Sequence, residues 1–281
     1  MHTIMRVYED IQAFDKPYNT IVTMGIFDGV HQGHQQLLRQ ICTRAHQVGG
    51  ETVVVTFWPH PKQVLSPPQT APIQLLTTFE EKTTMLSQLG IDHLLKIKFT
   101  KAFSQLSAEA FVQQVLVAWV GMTQLVVGHD HRFGKNRIGN TTLLRKLGLR
   151  NNFTVKEIAP TLTDGVQISS TKIRQLLLQG KVERAQAYLG RPYAIECTTL
   201  QPEKNGKPGL NLVLASMHSY KLIPADGCYV VQVVHPHGTE NGMLRITRKH
   251  NIPNMELAIS NCASTTRYTP NVYVKFKKNL H

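Results

Sequence analysis

The chain has 281 residues, slightly more than one hydrophobic core usually organises, so two domains are expected. Hydrophobic residues make up 42%, which supports packed cores and excludes a disordered polymer, and no apolar run approaches the roughly 20 residues of a membrane helix. The 31 lysines and arginines exceed the 18 acids, for a net charge of +13, a field that draws nucleotides, flavin phosphates or nucleic acid without choosing among them.

The opening stretch "MHTIMRVYEDIQAF" carries early acids and no continuous apolar segment, so no secretory leader is expected. Cys42, Cys197, Cys228 and Cys262 are scattered without a C-x-x-C pair, which suits reduced thiols in a cytoplasmic protein and offers no zinc ribbon. "TIVTMGIF" (20–27) and "TVVVTF" (52–57) are short β-branched runs of the kind buried on both faces of a sheet. Between them Leu37, Leu38, Ile41, Ala45 and Val48 share one helical face, and Gly49-Gly50 ends the helix. "FEEKTTMLSQLG" predicts a helix, "DHLLKIKF" a strand, and "SAEAFVQQVLVAWV" a helix capped by Ser107. "QLVVGHD", "TTLLRKLG" and "FTVKEI" continue the alternation, and "STKIRQLLLQG" and "VERAQAYLG" are two final helices. This order predicts an α/β fold, a parallel sheet with helices on both faces. After "GRPY" (190–193) the period becomes that of strands: "GCYVVQVVH", "MELAIS" and "NVYVKF", the last with Val272, Val274 and Phe276 on one side. A domain at 1–190 followed by a small all-β barrel at 191–281 is the expected organisation.

"GIFDGVHQGHQQLL" places His31 and His34 three apart at the start of a helix that follows a buried strand. A zinc site needs more ligands than this pair supplies, and no cysteine or suitably spaced carboxylate is near. An inert turn built on Asp28-Gly29 is the plain alternative. The position favours an anion cradle, because free N–H groups and the positive helix end converge there. Gly33 removes a Cβ from the path of a phosphate, and two imidazoles can donate to its oxygens.

Four segments together resemble a known family. "GIFDGVHQGH", "TFWPHP" (56–61), "GHDHRFGKNRIGN" (128–140) and "ISSTKIR" (168–174) are similar, in order, to the signatures of nucleotidyltransferases in the form found in bacterial FAD synthetases. The resemblance implies a Rossmann-like domain that transfers AMP from ATP to FMN, giving FAD and pyrophosphate, with Mg²⁺ accompanying the nucleotide. It assigns His31, His34 and Arg174 to the chemistry. It assigns Gly25, Phe27, Asp28, Gly33, Ser169, Ser170 and Thr171 to ATP, and Asp130 and Phe133 to the flavin. Read without the family, Ser169 is a helix cap, Arg174 a surface residue, Phe133 a core ring under a loop, and His60 a structural hydrogen-bonder. The sequence departs from the family at Trp58, where a smaller or acidic residue is usual, and at His131, where phenylalanine is usual.

The second half resembles the family's riboflavin kinase barrel in degraded form. "GKPGLNL" keeps Gly206, Pro208, Asn211 and Leu212 of G-x-P-T-A-N-L, with Gly209 in place of the threonine, and "MELAIS" keeps Glu256 at the position of the kinase base. Loss of riboflavin kinase activity is the expectation, and Glu256 without a phosphate cradle reads as an ordinary strand carboxylate. Two other functions share the composition: a related nucleotidyltransferase with another phosphorylated acceptor, and a non-catalytic regulator that binds flavin or RNA. Neither a membrane nor nucleic acid is the expected partner, and nothing in the sequence sets an oligomeric state.

Overall fold

A computed structural model describes residues 4–163, 165–202, 210–250, 252–259 and 271–280. Gly206, Pro208, Gly209 and Cys262 lie outside the described residues. Packing divides the chain into two units, one of residues Met1–Ile73 and Phe79–Ile168, the other of Gln74–Thr78 and Ser169–His281.

The first unit is a six-stranded parallel sheet built from β1 (Arg6–Tyr8), β2 (Thr20–Met24), β3 (Thr52–Trp58), β4 (His93–Lys98), β5 (Met122–Gly128) and β6 (Thr154–Ile158). Their spatial order is β1-β4-β3-β2-β5-β6, every neighbouring pair parallel. The helices are α1 (Gln32–Val48), α2 (Pro61–Leu65), α3 (Phe79–Gln88), α4 (Ala108–Ala110, which continues as a π-helical run to Trp119) and α5 (Thr141–Asn151). A small hairpin of β7 (Leu162–Thr163) and β8 (Val166–Gln167) closes the unit.

The apolar strand runs feed two cores. Val22, Met24, Val53, Val55, Leu125 and Val127 face the π-helical run and α5, while Ile21, Val54, Leu94 and Val126 face α1 and α3. Alternate residues thus leave on opposite sides, and burial on both faces is what makes the runs continuous in sequence. Leu37, Leu38, Ile41 and Ala45 form the buried stripe of α1, which ends at Gly49 in the left-handed region (φ 59°). Ser107 caps α4, its hydroxyl accepting from Ala110 N at 3.0 Å.

The second unit holds α6 (Ser170–Leu178), α7 (Val182–Leu189) and a closed antiparallel barrel. The barrel order is β10-β13-β12-β11-β14-β9, from β9 (Ala194–Pro202), β10 (Leu210–Ser216), β11 (Gly227–His235), β12 (Gly238–Lys249), β13 (Ile252–Ile259) and β14 (Asn271–Asn279). Its buried residues include Ile195, Leu212, Leu214, Tyr229, Val231, Val233, Leu244, Ile246, Met255, Leu257, Ile259, Val272, Val274 and Phe276. The segment Gln74–Thr78 folds with this unit: Leu75 N donates to Tyr220 O at 2.7 Å, Leu222 N to Leu75 O at 2.9 Å, and buried Lys221 donates from Nζ to Leu76 O at 2.8 Å.

Several sequence expectations change. The strand expected at 20–27 stops at Met24, since Phe27 (φ 51°) and Val30 (φ 36°) turn the chain left-handed. Strands β9, β10 and β12 were not foreseen. In β12 only Leu244 and Ile246 are buried apolar residues, too few to read as alternation. The boundary expected at 190/191 separates two helices from the strands they pack on. Ala225 N donates to Leu177 O at 3.0 Å, and Asn279 reaches Gly180 O through Nδ2 at 3.0 Å and Glu183 through its backbone N at 3.2 Å.

Candidate active site

The sheet of the first unit has its switch point at β2, from which the chain runs to β3 on one side while β5 lies on the other. Connections leave such a point in opposite directions and open a crevice at the carboxyl ends of the strands. Residues 25–31 follow β2 and residues 129–140 follow β5, so two of the singled-out segments flank that crevice.

The turn after β2 is closely tied. Gly25 N donates to Val55 O at 3.0 Å, Val30 N to Phe27 O at 3.2 Å, and Gln35 Nε2 to Val30 O at 2.9 Å. A β-branched residue at φ 36° is strained, and these bonds hold it there. Phe27 is buried and packs edge-on against His34 with ring centroids 5.1 Å apart. Asp28 is only 4% exposed. A Cβ on Gly25 would lie 3.1 Å from the Phe27 ring, so glycine there admits the aromatic side chain.

His31 and His34 come together, their rings stacked with centroids 3.6 Å apart and planes 16° from parallel. His31 is the N-cap of α1, and its Nδ1 accepts from His34 N at 3.3 Å. A neutral imidazole that accepts at Nδ1 carries its proton at Nε2, so that second nitrogen of His31 is a donor. Burial holds His34 well below the ordinary imidazole range; the positive charge of Lys82 pushes it the same way, as would a proton on His31. Its Nδ1 has no hydrogen-bond partner among the described residues. The sequence reading placed both residues at the helix start; the capping role of the first ring is what it missed. Gly33 serves this stack. A Cβ there would meet His31 Nδ1 at 3.3 Å and Thr161 Oγ1 at 3.6 Å, so the space it leaves is bounded by the imidazole and by Thr161. Thr161 in turn hydrogen-bonds Gln36.

Trp58 ends β3, and its ring lies 5.8 Å from that of Phe79. Lys82, 1% exposed, sits with Nζ 5.6 Å from the Trp58 ring centroid. It stands three residues after Phe79 and four before Leu86, on the apolar stripe of α3; that position was the signal available for a buried lysine. His60 is structural: its ring Nδ1 accepts from Lys62 N at 3.0 Å, and its backbone N–H donates to Gln63 Oε1 at 3.2 Å, a reciprocal cap of α2.

After β5, Asp130 is exposed while Phe133 is 8% exposed and packs 6.0 Å from Phe111. Phe133 and Gly139 exchange backbone bonds at 3.2 and 3.0 Å, closing the loop on itself. His131 stacks over Phe133 at 5.9 Å, its Nε2 without a partner among the described residues, and burial lowers its pKa to about 4.

In the second unit, Ser169 caps α6, its hydroxyl accepting from Lys172 N at 3.3 Å. Ser170 opens the helix, Thr171 is exposed, and Arg174 donates from Nε to Gln74 O at 2.9 Å, which fixes the guanidinium on the first turn. The capping alternative thus accounts for one of the three hydroxyls. On the barrel wall, a cavity of about 360 Å³ is lined by Asn211, Val213, Cys228, Met243, Arg245 and Glu256 among others. Glu256 accepts from Asn254 Nδ2 at 2.8 Å. Among the described residues no group of three or more histidines, cysteines or acids could hold a metal ion, and no helix is long and apolar enough to cross a membrane.

A doubly covered parallel sheet, with an H-x-G-H turn opening the helix at its switch point, is a nucleotidyltransferase of the Rossmann-like kind. More narrowly, the chain belongs to the FAD synthetase family, whose model matches residues 14–172. Bifunctional riboflavin kinase/FMN adenylyltransferases are among its relatives. That of Buchnera aphidicola from Schizaphis graminum is 37% identical over 217 residues, 76% of this chain and 69% of the relative. The Listeria monocytogenes enzyme is 35% identical over 229 residues, 81% and 72% of the two chains, and that of Escherichia coli K12 33% over 218 residues, 76% and 68%. A crystal structure described as a macrolide-efflux protein from Streptococcus pneumoniae superposes with a TM-score of 0.83 at 27% identity, covering 99% of this chain and 91% of that one.

Proposed function

We infer that this chain is an FMN adenylyltransferase acting in the cytoplasm. A phosphate oxygen of FMN attacks the α-phosphorus of ATP in line, the bond from that phosphorus to the bridging oxygen breaks, and pyrophosphate leaves with the electron pair. The observation that carries this reading is the stacked His31–His34 pair at a helix start on the sheet's switch point, in a chain of the FAD synthetase family. His31, with its proton at Nε2, donates to a phosphate oxygen as charge spreads in the transition state. His34 is neutral in the free protein and gains affinity for a proton when anionic phosphate arrives beside it. Such transfers need positioned donors rather than an enzyme nucleophile.

Gly25, Phe27, Asp28 and Gly33 shape the turn that receives the nucleotide. Ser169, Ser170, Thr171 and Arg174 steady its β and γ phosphates, supported by the α6 start and the fixed guanidinium. Asp130 and the 128–140 loop place the flavin, with Phe133 as the buried ring on which that loop rests. Mg²⁺ accompanying ATP would neutralise phosphate charge, and no cluster of histidines, cysteines or acids among the described residues is grouped to hold it. Riboflavin phosphorylation is absent on this reading, and Glu256 is a strand carboxylate bonded to Asn254.

Incubation with Mg-ATP and, separately, FMN or riboflavin, followed by chromatographic separation of the flavins, tests the proposal. FAD from FMN and no FMN from riboflavin is the expected result. No FAD from FMN refutes the adenylyltransferase reading, and FMN from riboflavin refutes the loss of the kinase.

A further inference from the structure

The loop between β10 and β11 buries a lysine that the proposed chemistry does not use. Lys221 is 3% exposed, and long cationic side chains are almost never so buried unless their heads are paired. Its Nζ donates to Leu76 O at 2.8 Å and stands 5.1 Å from the Tyr193 ring centroid. Leu76 belongs to the segment Gln74–Thr78, which folds with the second unit although α2 and α3, on either side of it in the chain, belong to the first. Three successive carbonyls of that segment each meet a donor of the same unit. Gln74 O accepts from Arg174 Nε at 2.9 Å, Leu75 O from Leu222 N at 2.9 Å, and Leu76 O from Lys221. Leu75 N in turn donates to Tyr220 O at 2.7 Å, and the buried Tyr193 hydroxyl donates to Leu222 O at 2.6 Å. Leu75, Leu76, Thr77 and Thr78 are all buried. A methionine in place of Lys221 would fill similar space without desolvating an amine, so what the lysine adds is its hold on the segment.

We propose, on the adenylyltransferase reading, that Lys221 is a positioning residue for the triphosphate: it pins the 74–76 segment, and Gln74 O then sets where the Arg174 guanidinium stands. Arg174 lies on α6 just after Ser169, Ser170 and Thr171, with its side chain half-buried. A long side chain there otherwise loses its rotamer freedom only when the nucleotide arrives; the bond to Gln74 O removes that freedom beforehand. The bond is made through Nε, and a guanidinium fixed that way keeps its planar fork in one orientation for parallel bonds to phosphate. Precision matters at such a donor, since a misplacement of about 1 Å can cost about a hundredfold in rate. Through Lys221 the barrel unit serves adenylyl transfer without any need of riboflavin phosphorylation.

The native chain, Lys221→Met, Arg174→Ala and the double variant test it, each checked for folding by circular dichroism and thermal melting. The probe is α,β-methylene-ATP with Mg²⁺, in which the bond that breaks in the proposed reaction is blocked, and its affinity is read by calorimetry. Lys221→Met should bind it at least about fivefold more weakly, the worth of one hydrogen bond. Arg174→Ala should lose at least about tenfold, as a charge-assisted bond is stronger. Because Lys221 acts through Arg174, the double variant should lie within about twofold of Arg174→Ala, whereas a merely structural lysine would weaken both backgrounds alike. FMN affinity, followed by flavin fluorescence, should stay within about twofold in every protein. Native affinity for the analogue in a folded Lys221→Met, full additivity in the double variant, or an equal loss of FMN affinity overturns the proposal. Should Lys221→Met fail to fold, Tyr193→Phe takes its place in the cycle, because it removes the hydroxyl that holds Leu222 O. It should weaken the analogue at least about threefold in the native background and add nothing to Arg174→Ala; an unmoved or additive result overturns the proposal. If the native chain binds the analogue but makes no FAD from FMN, the adenylyltransferase reading fails while the cycle still decides on Lys221. A native chain that does not bind the analogue overturns both.

Discussion

Replacing Gly134 by alanine should cost flavin affinity, and the structure supplies the magnitude. Gly134 has φ 71° and ψ −179°, a region open essentially to glycine alone, and forcing a side chain into it costs about 1–3 kcal/mol. The added Cβ would also stand 2.6 Å from Ala108 Cα and 2.8 Å from its N, far inside contact distance. Ala108 is fully buried at a helix start capped by Ser107, so it does not yield, and relief of the overlap falls on the loop. Overpacking adds about 1–3 kcal/mol if nothing moves. The loop is fastened there by Lys135 N donating to Leu106 O at 2.8 Å, a bond that must stretch as the loop retreats. We expect FMN to bind at least about tenfold more weakly, a loss of about 1.4 kcal/mol, in a flavin-fluorescence titration, with ATP affinity within about twofold. Gly90→Ala is the control: its φ is +83° but nothing lies within 4 Å of the new Cβ, so it bears the conformational cost with no displaced loop. FMN affinity unchanged in Gly134→Ala, or equally reduced in both variants, would refute the reasoning.

His34→Ala should lower turnover by more than about tenfold with the far-ultraviolet spectrum intact, since one lost transition-state donor is worth a few kcal/mol; unchanged steady-state turnover would remove His34 from the mechanism. His131→Phe should stabilise the first unit, because it removes a buried ring nitrogen without a partner among the described residues, by about 1 kcal/mol at pH 7. His131 is neutral when folded, with its pKa near 4, whereas the unfolded chain takes up that proton below about pH 6.5. Native stability therefore falls as pH drops from about 6.5 towards 4, and the advantage of the phenylalanine variant should widen over that window. Parallel stability-versus-pH curves for the two proteins, from denaturant melts, would contradict this.

Much of the site was legible in the sequence because the signals were local. The i, i+3 spacing at a helix start brings His31 and His34 onto one end of α1 whatever else surrounds them, and three hydroxyls before "KIR" mark the start of α6. Phe133 shows the limit. The same aromatic in the same loop serves as a stacking surface or as core packing, and only the position of Phe111, 22 residues earlier in the chain, puts its ring in the core. His60 was open between ligand and structural bonder until α2 supplied the N–H it caps.

By itself, then, the chain's pattern determined the alternation of doubly buried strands and helices, the β-rich second half, and the family to which the four segments point. Those follow from periodicity and from residue types within a few positions of one another. The tertiary structure decided that α6 and α7 pack with the barrel, that the His31 ring caps α1 beside Gly33, and that Lys82 is buried beneath the Trp58 ring. Each of these is a sum of packing, desolvation and charge over segments far apart in the chain, and no local spacing carries that sum.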